Sequence, residues 1–185
     1  EAFRETPVHL DISAFDPAPY TGLEADLAAK GITLHTLRDL EGDPLRDRKV
    51  FDLYWGEIND IPHEGEEMLP PDYDDWVNYS LHDPTTPPDA FFVARMGDEY
   101  IGLRELGVYP GDPVLLGGLL AVRRAHRRHH IGLALQLRGI AFARANGYAL
   151  LKTCTAVQNL PMQRLFDKLG YARDPEWQQC QKDIL

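Results

Sequence analysis

Ten apolar residues from Pro113 to Val122, PVLLGGLLAV, run straight into eight that carry four arginines and three histidines. The apolar stretch IGLALQLRGIAFARANG follows at once. The first run reads as a buried strand, with Gly117 and Gly118 marking a bulge or a close backbone approach. Ile131, Leu133, Leu135, Leu137, Ile140 and Phe142 make Ile131–Asn146 a long helix that Gly147 stops. The first amides of such a helix have no intrahelical acceptor, so the turn before it is a candidate site for anionic oxygen. Arg123, Arg124, Arg127 and Arg128 add donors and fixed charge, while His126, His129 and His130 add charge only when protonated. The competing reading is an exposed basic turn.

Elements on either side extend this unit. AFFVAR, the turn MGDE and YIGLRELGV predict an antiparallel hairpin. YALLKTCTAV is a further strand, Asn159 caps a second helix that ends at Gly170, and DPEWQQCQKDI pairs as an edge strand. Upstream, RETPVHLDIS and ITLHTL read as strands, separated by a turn and a short helix. Arg48–Asn59 predicts a helix with Val50, Phe51, Tyr54, Trp55 and Ile58 on one side. Residues 61–90 read as a mobile covering segment with one amphipathic turn through Tyr73, Trp76, Val77 and Leu81, ended by Pro84, Pro87 and Pro88. Hairpin, strand, helix, strand, helix, strand is the order of a three-layer or split α/β domain. At 185 residues the chain supports one core. Residues 1–30 are expected as an N-terminal extension or interdomain connection, and 31–185 as the main domain with a variable insertion around 50–90.

Charge narrows the function. The formal net charge is −10, against broad attraction to nucleic acid or an anionic membrane. Residues 50–94 hold eleven acids and no Lys or Arg, so the remainder carries +1 and can keep a local positive site. That acidic segment is either a solvated face or the entrance for a cationic substrate. Cys154 and Cys180 form no disulfide framework or paired-cysteine metal motif, which favours a reducing, cytoplasmic setting. No apolar stretch is long enough to span a bilayer. His9, His35, His63 and His82 make no ordered metal constellation, and the basic loop lacks the Gly-Lys-Ser/Thr of a P-loop.

RRHHIG, with LALQLRGIAFARANGY and the later NLPMQRLFDKLGY, resembles the acetyl-coenzyme A core of the GNAT acyltransferase superfamily, which implies an α/β fold with a mixed central sheet flanked by helices. Arg127 and Gly132 match the ends of its first motif, while His130 stands where the family places its first glycine. The resemblance implies that Leu120, Ala121 and Val122 face the pantetheine arm of acetyl-CoA or another short-chain acyl-CoA. It also implies that Arg127, Arg128, His129, His130, Ile131 and Gly132 wrap the pyrophosphate. Asn159 and Phe166 would border the groove, the alternatives being a helix cap and a core aromatic. ETPVHLDISAF before GITLHTL resembles the junction of tandem GNAT proteins, so a second GNAT domain is one implied partner. A homodimer through an unpaired edge near Val8 is another.

For acyl transfer to a primary or secondary amine, the resemblance implies positioning, a backbone amide near Leu120 or Val122 for developing negative charge, and neither metal nor covalent intermediate. The family's acid on the central strands is missing from GGLLAV, and its tyrosine position is Phe166. Glu105 is the substitute base and Tyr109 the substitute acid, against an exposed or paired carboxylate and a packing residue respectively. Adjacent strand side chains point to opposite faces, so Arg104 is not the expected partner of Glu105. Glu57, Asp60, Glu64, Glu66 or Glu67 would attract a cationic small amine, with Trp55, Tyr73 or Trp76 as an apolar wall. The rival is a coenzyme-binding or protein-interaction module without turnover.

Overall fold

A computed structural model describes residues 4–63, 65–175, 177 and 178. Among these, one mixed sheet runs in the order β2 (Ile32–Thr36), β3 (Phe91–Met96), β4 (Glu99–Gly107), β5 (Val114–Val122), β6 (Leu150–Ala156), β1 (Arg4–Asp11) and β7 (Ala172–Arg173). β8 (Trp177–Gln178) also pairs with β1. All neighbours are antiparallel except β5 and β6, which run parallel. Helices α1 (Leu23–Ala28), α2 (Arg46–Glu57), α3 (Tyr73–Trp76), α4 (Ile131–Ala145) and α5 (Leu160–Leu169) complete the layers. The mixed sheet flanked by helices is the α/β architecture that the resemblance implies.

Alternation along β3 sorts the core onto two faces. Phe92 and Ala94 join Ile101, Leu106, Ile131 and Leu135 in the cluster beneath α4, whereas Phe91 and Val93 join Phe51, Leu53 and Leu103 beneath α2. FFVA therefore reads as a continuous apolar run because both faces of this strand are covered. α4 lies close to the sheet at Gly102, where a Cβ would stand 3.1 Å from Leu135 and 3.2 Å from Ile131.

Two local outcomes differ from expectation. β1 is no free edge: Val8 pairs with Thr153 on one side and Arg173 on the other, because the chain returns after α5 to cover it. The proposed dimer edge near Val8 is thereby removed. α2 starts at Arg46 rather than Arg48, since Asp43 accepts from Leu45 N at 2.9 Å and from Lys49 Nζ at 2.8 Å and so organises the first turn. The covering segment contains α3, capped by Asp72, and a π-turn through Val77–Leu81. Trp76 from this segment packs 5.4 Å from Phe51 and 5.3 Å from Tyr54, pinning it to α2.

The parallel β5–β6 register covers only Val114–Leu116 against Leu150–Lys152. Thr153 Oγ1 then donates to Gly117 O at 3.0 Å. Farther along, Leu120–Val122 of β5 and Asn159 and Met162 at the start of α5 stand around one cavity. Among the described residues no helix is long and apolar enough to cross a membrane.

Candidate active site

The larger cavity, about 570 Å³, opens where β5 leaves β6. Leu120, Ala121, Val122, Arg127, Arg128, His130, Ile131, Gly132 and Asn159 line it, together with Leu133, Pro161, Met162 and Leu165. His129 is in the same loop but not in the lining. Phe166 is buried on the inner side of α5, 4.9 Å from the ring of Tyr171. Asn159 caps α5, accepting from Met162 N at 3.3 Å.

The loop before α4 is held in a curled backbone. Arg128 and His130 have φ of 67° and 64°, left-handed values that cost a side-chain-bearing residue energy which glycine avoids. Among the described residues no side chain caps α4, leaving its first amides beside the cavity without a side-chain acceptor. A coenzyme diphosphate fits these donors, and the apolar strand and helix side chains fit a pantetheine arm.

Two acids also stand here. Glu57 and Asp60, expected at the amine entrance, line the larger cavity and engage the loop. Arg127 donates from Nη2 to Glu57 at 2.7 Å and Asp60 at 2.5 Å, and from Nε to Val122 O at 2.9 Å. Arg124 donates to Asp60 at 2.6 Å. Arg124 first, and Arg127 with it, hold the Asp60 carboxyl below the usual carboxylate range.

A second cavity, about 360 Å³, lies on the α2 side of the sheet. Glu105 enters it with Tyr54 and Trp76, and Tyr79, Ser80, Asp83, Thr85 and Thr86 come from the covering segment. Tyr109, Gly117 and Gly118 complete the wall near β4 and β5. Burial pushes the Glu105 carboxyl up, opposed by the Leu119 amide and by Arg104. Burial, and then Glu105, push the Tyr54 hydroxyl up to about 12. Tyr109 is 44% exposed. Trp55 and Tyr73 line neither cavity: Trp55 buries an indole N–H that has no hydrogen-bond partner among the described residues, and Tyr73 packs edge-on at 5.2 Å from Phe51. Glu66 and Glu67 also lie outside both linings, and Glu64 and Cys180 lie outside the described residues. Cys154 lines neither cavity, and its thiol is pushed up by desolvation and by Glu5.

β5 is bulged between the cavities. Arg104 pairs with Leu120 and Leu106 with Gly117, so Gly118 and Leu119 together oppose Glu105. Gly118 O accepts from Arg104 Nη1 at 2.7 Å on the α4 side, and Leu119 N points to Glu105 Oε2 at 3.5 Å on the α2 side. The bulge thus turns the Leu119 amide toward Glu105. The paired glycines signalled a bulge; Tyr54, Asp83 and the hydroxyls of Ser80, Thr85 and Thr86 carried no such local mark.

A family model described as the acetyltransferase (GNAT) family matches residues 49–171. Among solved structures, a GCN5-related N-acetyltransferase from Sphaerobacter thermophilus superposes with a TM-score of 0.69 at 16% identity, over 95% of this chain and 50% of that one. A tandem GNAT protein from the clavulanic acid biosynthesis pathway gives 0.66 at 20% identity, over 96% and 52%. The ribosomal-protein-S18-alanine N-acetyltransferase of Escherichia coli gives 0.58 at 14%, over 78% and 79%. This chain spans about half the length of the first two. No curated protein matches it in sequence.

Proposed function

Because the chain belongs to the acetyltransferase (GNAT) family, we propose that it transfers an acetyl or other short acyl group from coenzyme A to a primary or secondary amine, a cationic small molecule. One observation carries this reading: a single strand, β5, walls both cavities, giving Gly117 and Gly118 to the smaller and Leu120–Val122 to the larger. An amine on one side and a thioester on the other would meet at the bulge, where positioning supplies much of the rate.

Acyl-coenzyme A brings an activated carbonyl. The loop Arg127–Gly132 and the first turn of α4 hold its diphosphate, and Leu120–Val122 and Asn159 border its arm. Glu105 accepts the amine proton, directly or through water; a carboxyl raised by burial suits a base working near neutrality. A backbone amide at Leu120 or Val122 is the donor for negative charge developing on the thioester oxygen, while Leu119 N–H, pointing to Glu105, fixes the base. Tyr109, at the open side, supplies a proton to the departing thiolate. Asp83 and Glu105 favour a positively charged acceptor, and Tyr54, Trp76 and Tyr79 give it an aromatic wall. A cytoplasmic setting and a second GNAT domain beside this one belong to the same reading, the latter supported by the half-length match to a tandem protein.

A second reading is a coenzyme-binding module without turnover. The ion pairs that occupy Arg127, and His130 at the glycine position of the motif, favour it. Calorimetry with acetyl-CoA, beside turnover assays with acetyl, propionyl and succinyl donors and a diverse amine panel, separates the two. Binding with transfer supports the enzyme; binding with no transfer to any amine supports the module.

A further inference from the structure

Arg104 is 1% exposed, yet it makes one hydrogen bond, to Gly118 O at 2.7 Å. Its Nε and Nη2 have no hydrogen-bond partner among the described residues. Among the described residues no carboxylate pairs with it: Glu105, the adjacent acid, points the other way, toward the smaller cavity. A buried cation with one partner costs stability. The surroundings are nonetheless shaped to keep it. A Cβ at Gly117 would stand 2.2 Å from Nη2, and one at Gly139 of α4 would stand 4.0 Å from Nε. Gly117 admits the guanidinium to the place where β5 parts from β6.

What the guanidinium holds is a peptide with two sides. Carbonyl and amide of a trans peptide point in opposite directions. With Gly118 O fixed toward α4, the N–H of Leu119 is fixed toward α2, where it meets Glu105. We propose that Arg104 is a positioning residue for acyl transfer, clamping the Gly118–Leu119 peptide from behind so that its amide faces Glu105 and the acceptor cavity. A charged donor on the carbonyl also polarises the peptide and strengthens its N–H as a donor. Without that clamp the bulged peptide, free of the regular ladder, can turn over and present a carbonyl oxygen to the carboxylate. This inference rests on the acyl-transfer reading of the Glu105 cavity.

The charged and titratable groups sharing Glu105's surroundings are Tyr54 from α2, Tyr79 and Asp83 from the covering segment, Tyr109 beyond β4, and Arg104 behind the strand. Of these only Arg104 is cationic. Its removal therefore takes from Glu105 both a positive charge and an oriented amide, and both losses raise the carboxyl further.

The test compares the wild-type chain with Arg104→Met and Arg104→Lys, using acyl-transfer kinetics against pH and NMR titration of the Glu105 carboxyl and the Leu119 amide. Arg104→Met should lower kcat about tenfold or more while acetyl-CoA affinity changes by less than about threefold. The acid limb of its pH profile and the Glu105 titration should both move to higher pH. Arg104→Lys, which keeps a charged donor, should recover part of each; if Arg104→Met does not fold, the lysine variant and its intermediate Glu105 titration decide. Folded variants with unchanged kcat, Glu105 titration and Leu119 shift would overturn the clamp. If wild type transfers to no amine, the enzymatic reading fails on that arm, while the two NMR signals still report whether Arg104 sets the peptide and the carboxyl.

Discussion

Gly118 makes room for Glu105: a Cβ at position 118 would lie 2.9 Å from Oε2 and 3.0 Å from the carboxyl carbon. Gly117 does the same for Arg104 on the opposite face, at 2.2 Å from Nη2. The two glycines of β5 thus accommodate two successive charged side chains of β4, one on each side of the sheet.

Substituting either glycine should be costly in different ways. Gly118→Ala pushes the carboxylate out of its place and should reduce acyl transfer by roughly tenfold or more, with a stability loss of about 1–3 kcal/mol. Gly117→Ala meets a guanidinium wedged in the core and should destabilise more than Gly118→Ala. Thermal melts beside turnover of the two variants check the order.

Glu105→Gln should separate stability from chemistry. Burial raises the folded carboxyl above its unfolded value, so its favourable contribution is complete below the unfolded pKa, about 4.3, and is lost as pH rises through the folded pKa. At pH 8 the ionised carboxylate is therefore a burden that Gln removes. The variant should melt higher than wild type at pH 8, converge with it below about pH 4, and lose transfer by about 10²- to 10⁴-fold. Wild-type kcat/KM should fall as pH drops through a value above the ordinary carboxylate range.

Glu57 and Asp60 compete with a diphosphate for Arg127. Neutralising both with Glu57→Gln and Asp60→Asn should tighten acetyl-CoA binding by about tenfold at low salt, with a smaller gain at high salt. Calorimetry at two ionic strengths measures it. Asp60 runs the opposite way to Glu105 in stability: its lowered pKa means a contribution present above the unfolded value and lost as pH falls through the folded one.

The layers were legible because they follow from local pattern: FFVA, YIGLREL and LLGGLLAV announce buried strands, and Asn159 and Gly170 bracket α5 in sequence. The loop before α4 was legible for the same reason, as a basic turn entering an apolar helix. The role of the acids was not. Arg127 meets Glu57 across 70 positions and Asp60 across 67, a pairing that only the docking of α2 over the loop creates. Glu105 could be placed on a strand facing a ligand, but its wall of Tyr54, Tyr79 and Asp83 comes from a helix and a Pro-rich segment with no shared motif. The pairing of β7 with β1 was hidden too, because β7 is two residues long and lacks a strand's alternation, whereas the expected terminal strand appears in its described part as β8.

Asn159→Ala removes the α5 cap and a wall of the larger cavity together. It should cost about 1 kcal/mol in stability and weaken acetyl-CoA binding as well, whereas loss of stability alone would leave Asn159 a cap and nothing more. Chemical denaturation and calorimetry on the same sample resolve the two effects.

Acyl transfer across β5 requires the coenzyme in the larger cavity. Backbone amide shifts of the ¹⁵N-labelled chain, followed through a titration with acetyl-CoA up to about 1 mM, test it most directly. Movement concentrated at residues 120–122 and 128–133, with residues 79–86 still, is the predicted result. No movement at that concentration, or movement centred on 79–86 and Glu105, contradicts it.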